Sequence, residues 1–268
     1  MYGLLGQGLL IIVNGIFDTH SHYTDRVFDN DRVQLLDEML KSSVQKIMLA
    51  TSNIEDSKKA MRLAKLYENI WCSVGIHPLD VRTVADGEDY ISEIRELAGS
   101  SAKVKAIGEI GLDYHYEGYS KEKQIKLFEK QIILAKELDL PVIVHLREAT
   151  ADGMALLKKY RPKGVIHCFS GSADTAKEAV SLGMYLGFTG VLTFRNAKKA
   201  VKAVEVIPPD RLLLETDCPY MSPEPWRGKR CDSRMIESTA SKMAEIKGIE
   251  VQKMIDIARE NGERLFRI

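Results

Sequence analysis

Gly15-Ile16-Phe17-Asp18-Thr19-His20-Ser21-His22 is a short apolar run that ends in side chains able to ligate a metal ion. The same pattern recurs along the chain. Val142-Ile143-Val144-His145 and Gly164-Val165-Ile166-His167 close on imidazoles; Val104-Lys105-Ala106-Ile107-Gly108-Glu109 and Leu212-Leu213-Leu214-Glu215-Thr216-Asp217 close on carboxylates. Short apolar, β-prone runs read as buried strands. A barrel enzyme places such polar strand ends at the C-terminal mouth of its sheet.

Between these runs lie helical periodicities. Strands are expected near 15–20, 45–50, 71–76, 104–109, 141–145, 164–168, 184–188 and 211–216. Helices are expected over 31–41, 53–67, 89–98, 121–138, 151–160, 173–182 and 197–206, with two more near 232–247 and 250–260. Eight strand-helix units in 268 residues match a (β/α)8 TIM barrel, with a doubly wound open sheet as the alternative. No repeat, low-complexity tract or flexible linker divides the chain, so a single domain over 15–268 is expected. The proline-rich stretch from Cys218 to Trp226 reads as an ordered loop over the same face. Residues 1–14 are expected to be an extension or lead-in. They are apolar, but too short for a membrane span and without the basic start of a signal peptide.

The formal net charge is zero, which excludes a polyelectrolyte that coats nucleic acid and still permits a local grip on a few phosphates. The four cysteines, Cys72, Cys168, Cys218 and Cys231, form no C-x-x-C pair. They are expected to be reduced, in a cytoplasmic protein. Cys168 and Cys218 follow proposed ligands directly and are read as small buried hydrophobes rather than thiolate ligands.

His20 and His22 are two residues apart, so on a strand both rings share a face. With Glu109, His145, His167 and Asp217 they make six polar groups at strand ends. Six unpaired polar groups in one barrel core would be very costly, whereas a divalent cation would satisfy them. One ion takes three or four protein ligands, so six, two of them carboxylates, suit two ions about 4 Å apart. Mixed imidazole and carboxylate ligands fit zinc, manganese, iron or cobalt and, with water, magnesium.

Asp18-Thr19-His20-Ser21-His22, Val74-Gly75-Ile76-His77-Pro78, Ile107-Gly108-Glu109-Ile110-Gly111-Leu112-Asp113-Tyr114 and Pro141-Val142-Ile143-Val144-His145 occur in that order. They are followed by His167-Cys168-Phe169-Ser170-Gly171, Gly190-Val191-Leu192-Thr193-Phe194, Leu214-Glu215-Thr216-Asp217-Cys218-Pro219-Tyr220 and Arg227-Gly228-Lys229. Together they resemble the TatD family of metal-dependent deoxyribonucleases in the amidohydrolase superfamily, from about residue 16 to the end. The resemblance implies a TIM barrel with two divalent metals. His20, His22 and Asp217 would hold the first and His145 and His167 the second, with Glu109 bridging. It also implies a 3′→5′ exonuclease whose partner is a DNA end, with RNA as a further substrate. No membrane partner is expected, and a monomer is favoured.

The chemistry of the residues fits that implication. Two metals would neutralise a phosphodiester and lower the pKa of an attacking water, with Asp217 as general base or as an electrostatic positioner. His77 is expected to touch phosphate or the leaving group, or else to serve as a turn residue. His115, Arg147, Arg227 and Lys229 are candidates for substrate phosphate, and Arg230 adds to the basic cluster beside Trp226. Glu215, two residues before Asp217, is expected to orient a histidine. The chain departs from the usual family pattern at Leu146-Arg147-Glu148 and Cys231-Asp232-Ser233, which puts substrate contacts rather than ligands in question. Lys158-Lys159 and Lys198-Lys199 read as solvated helix faces. A small-molecule amidohydrolase or phosphotriesterase on the same barrel is the competing reading. Such enzymes often bridge their metals with a modified lysine, where this chain offers Glu109. A binding protein with a vestigial site is the third reading, and no ligand of the six is missing.

Overall fold

The computed structural model of the chain describes residues 13–83, 89–118 and 120–268. The expected lead-in at 1–14 therefore falls mostly outside the described residues. Among those described, eight strands alternate with helices in the order β1 (Ile16–Ser21), α1 (Arg32–Leu40), β2 (Val44–Leu49), α2 (Ile54–Ala64), β3 (Ile70–Val74), α3 (Tyr90–Ser100), β4 (Val104–Asp113) and α4 (Lys121–Glu137). The chain continues through β5 (Val142–Arg147), α5 (Thr150–Tyr160), β6 (Gly164–Ile166), α6 (Ala173–Ser181), β7 (Tyr185–Phe188), α7 (Lys198–Val206), β8 (Leu212–Leu214), α8 (Ile236–Lys247) and α9 (Val251–Phe266). The strands pair in parallel in sequence order, β1 to β8, and the fold is a TIM barrel; the doubly wound alternative falls on this strand order.

The seam between β8 and β1 lies just beyond β8. Asp217 N–H donates to His20 O at 2.9 Å and His22 N–H to Cys218 O at 2.8 Å, with a parallel bridge between Ser21 and Cys218. Buried Asp18 ties the same seam, accepting from Thr216 N–H (3.0 Å), the Thr216 hydroxyl (2.6 Å) and the Ser233 hydroxyl (2.7 Å). Burial pushes the Asp18 carboxyl up to about 6 despite these bonds.

Side-chain alternation separates two cores. Val142, Val144, Ile166, Leu212 and Leu214 face the helices in the larger cluster. Phe17, Met48, Ala106, Ile143, Val165, Tyr185 and Leu213 form a smaller one, with Trp71 against it, so each strand contributes one residue. Leu265 and Phe266 of α9 belong to this inner layer and help to fill the barrel. Two residues further along their strands, above Ile143, Val165 and Leu213, stand His145, His167 and Glu215. The pleat that buries the inner layer thus aims the polar strand ends inward at the mouth.

β4 and α9 run well past their expected ends. β4 continues through Gly111 to Asp113, paired with His145, Leu146 and Arg147 of β5. α9 continues past Asn261-Gly262 to Phe266.

Candidate metal centre and its surroundings

At the mouth, His20 Nε2, His22 Nε2 and Asp217 Oδ1 form a triangle. The two imidazole nitrogens are 3.1 Å apart, and Asp217 Oδ1 lies 3.1 Å from His22 and 3.5 Å from His20. Ligands about 2.1 Å from a common ion stand roughly 3.0 to 3.4 Å apart in octahedral or tetrahedral geometry. Glu109 lies beside this triangle and divides its two oxygens. Oε2 faces His20 (3.4 Å) and His22 (3.7 Å), whereas Oε1 faces His167 (2.8 Å), His145 (2.9 Å) and His77 (3.5 Å). Among the described residues, three overlapping groups have metal-ligand spacing: His20, His22 and Asp217; His20, Glu109 and His167; and His77, Glu109 and His145.

Neighbouring groups set which nitrogen of two rings carries the lone pair. His22 Nδ1 is 3.2 Å from Ala50 O and serves as its donor, which leaves Nε2 as the lone pair toward Asp217. His145 Nε2 is 3.0 Å from Asp113 Oδ2, which leaves Nδ1 facing Glu109. Lone pairs then confront carboxylate oxygens across about 3 Å, an arrangement that repels unless a cation or a proton lies between. The titration behaviour has the same origin. Burial alone would lower His22 and His145, but the hydrogen bonds and charges of Asp217, and of Asp113 and Glu109, raise both to about 9. Burial and the positive potential of His167 lower His20 to about 4. Burial would raise Glu109, yet the surrounding imidazoles hold it well below the usual carboxylate range. Asp217 is held down in the same way by His22. A divalent cation fits this donor set, since it would replace the shared protons.

Behind the donors, Glu215 accepts from Cys168 N–H at 2.5 Å and stands 3.8 Å from His167 Nδ1; burial lifts its carboxyl to about 8. Gly187 makes room for that carboxylate, because a Cβ there would lie 2.2 Å from Glu215 Oε2. Asp113 is a further functional residue, beyond the six expected ligands. It closes another apolar run, Ile110-Gly111-Leu112-Asp113, which is the signal that would have marked it.

The six expected ligands come together with one expected substrate contact, His77, while the other expected substrate contacts do not join them. His115 Nδ1 is 2.6 Å from Glu148, and Arg147 lies over the Tyr116 ring and donates to its hydroxyl. Arg227 stacks on Phe194 at 4.4 Å, and Arg230 pairs with Asp31 through both terminal nitrogens. None of these, nor Lys229, lines the main cleft of ≈ 570 Å³ over the donors. That cleft opens toward the β1, β2 and β3 ends, where Arg26, Lys59 and Tyr220 form its wall. A second, more enclosed cleft of ≈ 380 Å³ reaches His167 from the β5–β7 side.

The chain as a whole has known relatives. The family model described as TatD related DNase matches residues 17–267. The chain belongs to the TatD family. It is 39% identical over 256 residues to the metal-dependent hydrolase YabD of Bacillus subtilis, covering 94% of this chain and 99% of that protein. It is 35% identical over 260 residues to the 3′-5′ ssDNA/RNA exonuclease TatD of Cronobacter sakazakii, covering 94% and 97%. The crystal structure of YjjV, a TatD homologue from Escherichia coli, superposes with a TM-score of 0.88 at 29% identity, covering 94% of this chain and 98% of that one. As a TatD-family protein the chain is a metal-dependent hydrolase. Among the described residues no helix is long and apolar enough to cross a membrane.

Proposed function

We propose that this TatD-family protein hydrolyses phosphodiesters with two divalent ions, magnesium, manganese or zinc, and trims single-stranded or frayed DNA, with RNA as a second substrate, from the 3′ end. The observation that carries the reading is the division of Glu109, with Oε2 toward His20 and His22 and Oε1 toward His77, His145 and His167. One carboxylate that faces two imidazole groups is suited to bridge two ions. His20, His22 and Asp217 would hold one, and His145 and His167 the other.

Bound there, the ions would neutralise the phosphate and lower the pKa of the attacking water. Asp217, a ligand of the first ion within reach of its water, takes the proton from that water. The water oxygen bonds to phosphorus, the phosphorus bond to the leaving nucleoside oxygen breaks, and that oxygen acquires a proton. His77, 3.5 Å from Glu109 and lining the cleft, would contact a phosphate or leaving-group oxygen. Asp113 and Glu215 hold His145 and the His167 segment in register.

The test is a time course on a 5′-labelled single-stranded oligonucleotide. Metal-stripped protein receives Mg2+, Mn2+ or Zn2+, beside Asp217→Asn prepared identically. A metal-dependent ladder that shortens from the 3′ end, lost in the variant, is expected. An oligonucleotide left intact with every metal overturns the reading and directs attention to small esters and amides.

A further inference from the structure

The main cleft continues past the metal donors to a wall built by the loop after β1 and by the start of α2. That wall carries two cations, Arg26 and Lys59, and three carboxylates, Asp25, Glu55 and Asp56. Each carboxylate has another partner. Asp25 accepts from Val27 N–H at 2.8 Å and from the Tyr220 hydroxyl at 3.3 Å. Glu55 pairs with Lys58, and Asp56 accepts from Ser52 N–H at 3.0 Å. The side chains of Arg26 and Lys59 form no ion pair among the described residues, and both are exposed. Two unpaired cations from separate elements thus face one cleft beside the metal donors.

We propose that Arg26 and Lys59 form a subsite for the phosphate one linkage inward, on the 5′ side, of the linkage being cut; this rests on the exonuclease reading above. The chemistry of a strand end selects that side. A 3′-terminal nucleoside has no phosphate beyond the scissile one. Cations set away from the metal donors therefore find an anion only on the strand that remains. The subsite makes a strand end, rather than an isolated phosphodiester, the preferred substrate, and the more enclosed cleft by His167 is left for the terminal nucleoside.

The test pairs a change in the protein with a change in the substrate. One oligonucleotide is all phosphodiester. A second carries one neutral methylphosphonate at the second linkage from its 3′ end. First-cut kcat and KM are measured for the metal-loaded wild type and for Arg26→Gln/Lys59→Gln, with thermal melts to show that the variant is folded. In the wild type, the neutral linkage is expected to raise KM about tenfold, the size of one charge-assisted contact. The variant is expected to lose a similar factor on the diester and little more on the methylphosphonate. Its log-log dependence on salt is expected to be shallower by about 1, and Lys59→Arg is expected to retain most of the affinity. Losses that multiply, or a wild type that cuts both substrates equally, overturn the subsite and leave the exonuclease reading intact. A wild type that cuts neither removes both.

Discussion

His145 is held between two carboxylates: its Nε2 lies 3.0 Å from Asp113 Oδ2 while its Nδ1 lies 2.9 Å from Glu109 Oε1. Asp113 is buried at the end of β4, and its other oxygen accepts from His115 N–H at 2.9 Å, so it cannot turn away. The carboxylate keeps the imidazole proton on the outer nitrogen and the lone pair toward the centre. Asp113→Asn preserves shape and removes that charge. It is expected to weaken metal binding by about 10–100-fold with little change in melting temperature, as measured by chelator competition. Unchanged affinity would mean that Glu109 alone orients the ring.

Gly187 and Gly99 make a second, opposed pair. A Cβ at Gly187 meets the buried carboxylate of Glu215 at 2.2 Å, and Glu215 is in turn bonded to Cys168 N–H. Gly187→Ala is expected to cost about 1–3 kcal/mol and, by displacing Glu215, to lower turnover more than stability alone explains. Gly99 lies in α3, exposed, with nothing within 4 Å of its Cβ position. Gly99→Ala is expected to stabilise by up to about 1 kcal/mol and to leave activity alone. Denaturant titration and initial rates on both variants separate the effects.

The donors were legible in the sequence because a buried parallel strand is apolar throughout, so a polar residue at its end stands out. His145, His167, Glu109 and Asp217 each end such a run. The boundaries that went unread are places where a turn residue serves packing. β4 is expected to end at 109, yet it continues: a Cβ at Gly111 would lie 1.9 Å from His145 O, so the glycine is what lets the strand run on beside β5. α9 is expected to end near 260, just before Asn261-Gly262. In the fold Asn261 donates to the carbonyls of Pro209 and Leu212, and Gly262 lets α9 pass against Phe17 and Thr19. Arg26 and Lys59 carry no sequence signal at all, since exposed cations are common and only the cleft distinguishes these two.

The cysteines permit a chemical prediction. Burial pushes the Cys72 thiol up to about 12, and it pushes Cys168, Cys218 and Cys231 upward as well. Because the thiolate is the reactive form, native protein at pH 8 is expected to react with a thiol reagent at a small fraction of the rate of the denatured protein. Rapid native modification of Cys168, identified by peptide mass mapping, would show that the loop beside His167 opens.

Metal removal should reverse the dependence of stability on pH. In the metal-free protein His22 and His145, at about 9, hold protons that the unfolded chain releases near 6.5. Their contribution is full below about pH 6.5 and lost as pH rises through 9. Glu215, raised to about 8 by burial, acts in the same direction, because the folded state keeps a proton that the unfolded carboxyl has already lost. The melting temperature of stripped protein is therefore expected to fall between pH 6.5 and 9. A bound cation needs these imidazoles deprotonated, so metal affinity should climb over the same window and binding should release protons into a weakly buffered solution. Calorimetric melts of stripped and reloaded protein at several pH values check both halves. A stripped protein that gains stability as pH rises would show that the two histidines are already neutral, and that Asp217 and Glu109 do not share protons with them.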